Sequence, residues 1–179
     1  MNTEIITLDD LKDVFYSGYP AATAWDVIDE LYIAIHEDVL TYKRYAVSST
    51  DHYHHLIDSA IIAEGLGPQG AGHMALKAIA SEWLNKEYGT KADAEIYFAG
   101  LHPDVISSDR RYVIECGTTD PGCILMYLSE PGVLLAGNIA YPFSGETSVY
   151  LHVFGRGSAF STWQDRKTET LRETFQKHR

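Results

Sequence analysis

The period of the apolar residues changes near Gly89, and this change limits the fold more than any other feature of the sequence. Up to Tyr88 the apolar residues recur at helical spacing; beyond it they fall into short alternating runs of strand length. From Gly72 onward the order reads helix, three strands, helix, two strands, helix. Helices interleaved with short strands build an α/β or α+β domain around a mixed central sheet flanked by helices.

The helical part has its own punctuation. In "TLDDLKDVFYSG", Thr7 is placed to cap a helix, acids fill the first turn where the helix dipole favours them, and Gly18 reads as a stop. A second helix is expected from Ala21 to about Tyr45, with Trp25, Ile28, Leu31, Tyr32, Ile35, Val39 and Leu40 as its apolar stripe. "SSTDHYHHLIDSAIIAEGLG" gives a third, capped by Ser49 or Thr50 and broken by glycines. "GLGPQGAG", residues 65 to 72, reads as a linker, and a helix from His73 to Tyr88 follows, stopped by Gly89. Residues 1–65 are thus expected to form an acidic helical extension, and residues 72–179 a core domain.

In the second part, residues 94 to 100, 102 to 106 and 111 to 116 read as strands, with "SSDR" turning between the last two. Asp120 and Pro121 open a helix that Pro131 and Gly132 end. Residues 132 to 143 and 147 to 155 give two further strands. An amphipathic helix from about Ala159 closes the chain, with Phe160, Trp163, Leu171 and Phe175 as its apolar side.

Charge is uneven. Residues 1–65 hold 12 acidic and 3 basic side chains, so most of the formal charge of −11 belongs to the extension, and the remaining 114 residues carry about −2. The last segment is basic, with Arg156, Arg166, Lys167, Arg172, Lys177 and Arg179 available to phosphate. No apolar run is long enough to span a membrane, and "MNTEIITLDDLKD" lacks the basic and apolar blocks of a secretory signal, so a cytoplasmic protein is expected. Cys116 and Cys123 form no CxxC pair and read as reduced structural thiols.

The chemistry is concentrated in "HPDVISSDRRYVIECG", residues 102 to 117. Alternation puts Glu115 on one strand face with Val113, and the short turn brings Asp104 alongside on the neighbouring strand. Two carboxylates about 5 Å apart across a ladder can share one hard divalent cation. "PD", a turn, an apolar strand and then "E-x-G" resemble the PD-(D/E)XK nuclease superfamily, the restriction-endonuclease-like fold. The resemblance covers residues 72 to 141, about 70 of the 179. It implies a metal-dependent nuclease with Mg²⁺ or Mn²⁺ held by Asp104, Glu115 and the carbonyl of Cys116. Glu82 is the position that matches a third acid on the first core helix, with Glu87 also available. The pattern departs at Gly117, where the family carries the lysine that stabilises the attacking hydroxide. Lys77, Lys86, Lys91, Arg110 and Arg111 are nearby in sequence, and spacing singles out none of them.

Two further readings belong to other classes. Without its lysine the fold could serve as an inactive binding or regulatory module, whose acidic helices meet a protein partner, pair in a homodimer or cover the site and compete with phosphate. An α+β domain binding a small molecule remains if residues 102 to 116 do not pair as strands. His54 with Asp58, four apart on one helix, offers a weaker metal pair. His73 reads as a polar residue at a helix start, within reach of a phosphate, and His152 as a packed strand histidine.

Overall fold

The computed structural model describes residues 4–16, 25–93 and 95–177. In chain order the elements are α1 (Leu8–Tyr16), α2 (Trp25–His36), β1 (Leu40–Ser49), α3 (Thr50–Glu64), α4 (Pro68–Tyr88), β2 (Ala92–Asp93), β3 (Val105–Ser107), β4 (Tyr112–Cys116), α5 (Gly122–Ser129), β5 (Leu135–Ile139), β6 (Ser148–Arg156) and α6 (Phe160–Lys177). The strands form one six-stranded mixed sheet in the order β1-β6-β5-β4-β3-β2. Strand β2 pairs antiparallel with β3, and β3 with β4; β4 and β5 are parallel, joined through α5.

Register sorts the core into two halves. Ile106 pairs with Val113, and Val105 with Ile114. The first pair packs with α1, α2, α5 and α6 through Phe15, Leu31, Tyr127 and Phe160; the second packs with α3 and α4 through Tyr53, Leu76, Ile79 and Trp83. The sheet therefore lies between two helical layers, which is why its central strands are apolar on both faces.

Local chemistry sets the element ends. Thr7 accepts a hydrogen bond from the Asp10 amide at 3.1 Å, as its capping role predicts, and Ser49 does the same for His52 at 3.1 Å. The expected stop at Gly18 and helix start at Ala21 lie outside the described residues. The expected linker is a tight helix-to-helix turn: Gly65 ends α3 in the left-handed region at φ +64°, and Pro68 starts α4 with the proline in its first turn.

Two expectations about secondary structure are corrected. Residues 40 to 45 are strand, not the end of a helix: α2 stops at His36, Asp38 turns the chain at φ +58°, and β1 pairs along its length with β6. Residues of the N-terminal part thus share the sheet and its buried core with the rest of the chain. Of the strand expected over 94 to 100, the described residues 95 to 100 form a loop tightened by Ala99 and Gly100 at positive φ and by the bridge from Phe98 to Leu101; β2 is only Ala92–Asp93. The turn between β3 and β4 falls where "SSDR" puts it. The Ser107 hydroxyl accepts from the amides of Arg111 and Tyr112 and donates to Asp109.

Candidate functional site

Asp104 and Glu115 come together at the end of β3 and β4. The Asp104 amide donates to Glu115 Oε2 at 3.2 Å, and the Cys116 amide donates to Asp104 Oδ2 at 2.8 Å. From α4, His73 Nε2 meets Asp104 Oδ1 at 3.0 Å; from α5, the Tyr127 hydroxyl donates to Glu115 Oε1. Both carboxylates are therefore held from two sides, by the backbone of the neighbouring strand and by a side chain from a covering helix.

Glu115 is 9% exposed, and burial pushes its carboxyl up to about 7. The hydrogen bond from Tyr127 works the other way, since it favours the charged form, while the nearby Asp104 disfavours it. The cost of stripping water from a carboxylate outweighs that single donor here. Burial likewise raises the thiols of Cys116 and Cys123, so neither is a thiolate near neutral pH.

The pair faces an open cleft of about 490 Å³. Its walls include Gln69 and His73 from α4, Leu101 and His102 from the loop before β3, Thr118 to Asp120 after β4, and Tyr141 after β5. Among the described residues no lysine or arginine lines it, and none of the residues before Gln69 does. The described parts of the acidic helices do not cover the cleft.

The other candidates lie elsewhere. Glu82 is exposed on the outer side of α4, with His52 of α3 at 3.3 Å, and does not line the cleft. Glu87 is exposed near the C-terminal end of the same helix. Cys116 lines the cleft, next in chain to Glu115. Arg110 pairs with Asp93 at 2.8 Å and Arg111 with Asp109 at 3.7 Å, at the turn end of the β3–β4 hairpin. Lys77, one turn beyond His73 on α4, is close enough for its charge to favour the Cys116 thiolate. His54 and Asp58 are both exposed on α3. His152 packs against Tyr42, whose hydroxyl is 2.8 Å from Nδ1, as a packed histidine would.

The sequence marks three further residues of the site poorly. His73 reads there as a polar residue at a helix start, within reach of a phosphate, and in the structure it supports Asp104; Tyr127 and Tyr141 are indistinguishable from the other ten tyrosines. Only tertiary contact marks them.

Gly117 explains why a lysine does not stand there. Its φ of +81° is one that residues with a side chain rarely adopt, and a Cβ would lie 2.5 Å from the ring of Tyr141. Among the described residues no group of three or more His, Cys, Asp or Glu is arranged to hold a metal. Two adjacent carboxylates do suit Mg²⁺, which keeps most of its waters and takes one or two carboxylates together with substrate phosphate. Compared with protein-family models, curated proteins and solved structures, the chain matches none. No helix of the described residues is long and apolar enough to cross a membrane.

Proposed function

We propose that the cleft is the site of a metal-dependent phosphodiesterase of the PD-(D/E)XK type acting on nucleic acid, with Asp104 and Glu115 as the ligands of Mg²⁺ or Mn²⁺. One observation carries this reading: the two carboxylates meet on neighbouring strands at an open cleft, joined through the Asp104 amide and Glu115 Oε2 at 3.2 Å. The strand and helix order supports it, since α4, three antiparallel strands, α5 and a parallel strand follow the order that the resemblance implies. A bound divalent cation would polarise a phosphoryl oxygen and acidify its water. The chain's own residues hold the ligands: His73 and the Cys116 amide fix Asp104, while Tyr127 and the Asp104 amide fix Glu115. Lys77, one turn beyond His73 on α4, is the candidate to stand in for the missing lysine; it does not line the cleft, and its charge is felt at Cys116.

A second reading has its own observation. Tyr141 fills the space in which a lysine at 117 would begin, and the cleft carries no described lysine or arginine. This favours a nuclease-like fold kept as a binding or regulatory module with a protein partner.

Cleavage of single- and double-stranded DNA and RNA with Mg²⁺ and Mn²⁺ separates the two. Under the first reading the wild type cuts, D104A and E115A do not, and K77A is slowed by two to three orders of magnitude, the cost of losing one electrostatic donor. Folded wild-type protein that cuts none of the four substrates would refute the first reading and leave the second.

A further inference from the structure

Tyr141 follows β5 and lies between two glycines of different elements. Its ring is within 3.6 Å of where a Cβ on Gly72 of α4 would be, and its ring and hydroxyl are within 2.5 to 2.9 Å of where a Cβ on Gly117 would be. Side chains are absent at both positions, and the phenol takes the space. The residue is half-buried and forms part of the cleft wall beside Asp104 and Cys116. Among the described residues its hydroxyl has no hydrogen-bond partner, unlike those of Tyr42 and Tyr127. Burial, with Cys116 and Asp104 nearby, raises its ionisation above the ordinary range. The group is therefore a neutral phenol with a proton to give near neutral pH.

A hydroxyl that is held beside Gly117 in the wall of a cleft and lacks a protein acceptor can donate to a ligand at little entropic cost. The surrounding chemistry says which kind. Asp104, Glu115 and Asp120 give the wall its carboxyl groups, and Gln69, Thr118 and Thr119 are the neutral polar side chains beside them. With no described lysine or arginine on the wall, an anionic oxygen brought there has neutral donors to meet it.

We propose that Tyr141 is a substrate-binding residue, whose hydroxyl donates a hydrogen bond to a non-bridging phosphate oxygen of the bound phosphodiester from the place where the resembled family keeps its lysine. This deepens the nuclease reading and rests on it. The tyrosine supplies a donor without a positive charge, so it binds and orients the phosphate and leaves charge neutralisation to other groups.

Y141F tests the idea because it removes only the hydroxyl and keeps the ring between Gly72 and Gly117. Binding of a fluorescein-labelled single-stranded oligonucleotide is followed by anisotropy in Mg²⁺ buffer, and Mn²⁺ uptake by electron paramagnetic resonance. Expected are a ten- to hundredfold weaker oligonucleotide complex in Y141F, the worth of one hydrogen bond to a charged group, and unchanged Mn²⁺ affinity. Equal oligonucleotide affinity in Y141F and wild type overturns the proposal, as does a matching loss of Mn²⁺ affinity, which would mean that the variant disturbs the whole site. A wild type that binds no oligonucleotide overturns the proposal together with the nuclease reading. Oligonucleotide binding that Y141F weakens, in a protein that takes up no Mn²⁺, would remove the metal and keep the tyrosine's role.

Discussion

Glu115 is under two demands that pull against each other. It lies at the end of an apolar strand, where water is excluded, yet the proposed metal would need it charged. Its oxygens are served by one side-chain donor, Tyr127, and one backbone donor, the Asp104 amide. Y127F removes the side-chain donor. The charged form is then harder to keep, so the Glu115 carboxyl should titrate above its wild-type value of about 7. Carboxyl-labelled NMR titration reads this directly, and an unchanged or lower value would mean that Tyr127 does not serve the charged form. Gly117 is constrained in a different way, by φ +81° and by the Tyr141 ring. G117A should cost about 1–2 kcal/mol for the left-handed backbone, with a further loss from displacing the ring. In a chain that also carries Y141A that further loss disappears, so the two substitutions should be less than additive in chemical denaturation. Strict additivity would show that the ring does not press on position 117. At this scale the sequence was half legible. Asp104 and Glu115 stood out because a proline-linked acid, a turn and an apolar strand fix their register. His73, Tyr127 and Tyr141 did not, because α4, α5 and the segment after β5 deliver them across gaps in the chain that no local period records.

Among the elements, those with local signals were readable and those defined by distant partners were not. Helices α3 and α4 carry their caps and stops in sequence, at Ser49, Gly65, Pro68 and Gly89. Strand β1 carries almost none. Val39 and Leu40 continue the apolar stripe of α2, no glycine or proline intervenes, and the strand is defined by its pairing with β6, where Arg44 lies opposite His152. The alternation of Leu40 and Tyr42 was present but too short to outweigh the helical stripe before it. Asn138 shows the same dependence on distant partners. Fully buried on β5, it donates to the carbonyls of Val14 at the end of α1 and Gly117 after β4, and accepts from the Thr119 hydroxyl. One side chain thus ties three segments together beside the cleft. N138A should destabilise the protein by about 2–4 kcal/mol, because it strands two carbonyls and a hydroxyl that depended on it. Urea denaturation measures the loss, and a change below about 1 kcal/mol would mean that those groups find other partners.

Over the whole molecule two titrating groups on the same sheet act in opposite directions on stability. Asn138 pairs with Glu115 on one side and with His152 on the other, which places both groups on one face of the central strands. The carboxyl of Glu115 is raised from 4.5 to about 7 by burial; the imidazole of His152 is lowered from 6.5 to about 4 by burial and by Arg44. Between these limits folded Glu115 keeps a proton that the unfolded chain releases. Its contribution is complete below about 4.5 and is lost as pH rises through 7. Folded His152 refuses a proton that the unfolded chain takes up, so its contribution is complete above 6.5 and is lost as pH falls through 4. From pH 4.5 to 6.5 the two slopes have opposite sign and similar size, about 1.4 kcal/mol per pH unit each, and they nearly cancel. Substitution exposes each in turn. E115Q should become more stable as pH rises across this interval, by on the order of 3 kcal/mol relative to the wild-type profile, whereas H152Q should become less stable by a similar amount. Urea midpoints taken at half-unit steps of pH give both curves. If E115Q instead runs parallel to the wild type, Glu115 is not held protonated by the fold. Glu115 would then already be charged at pH 6, and a cation bound there as proposed would have no proton to displace.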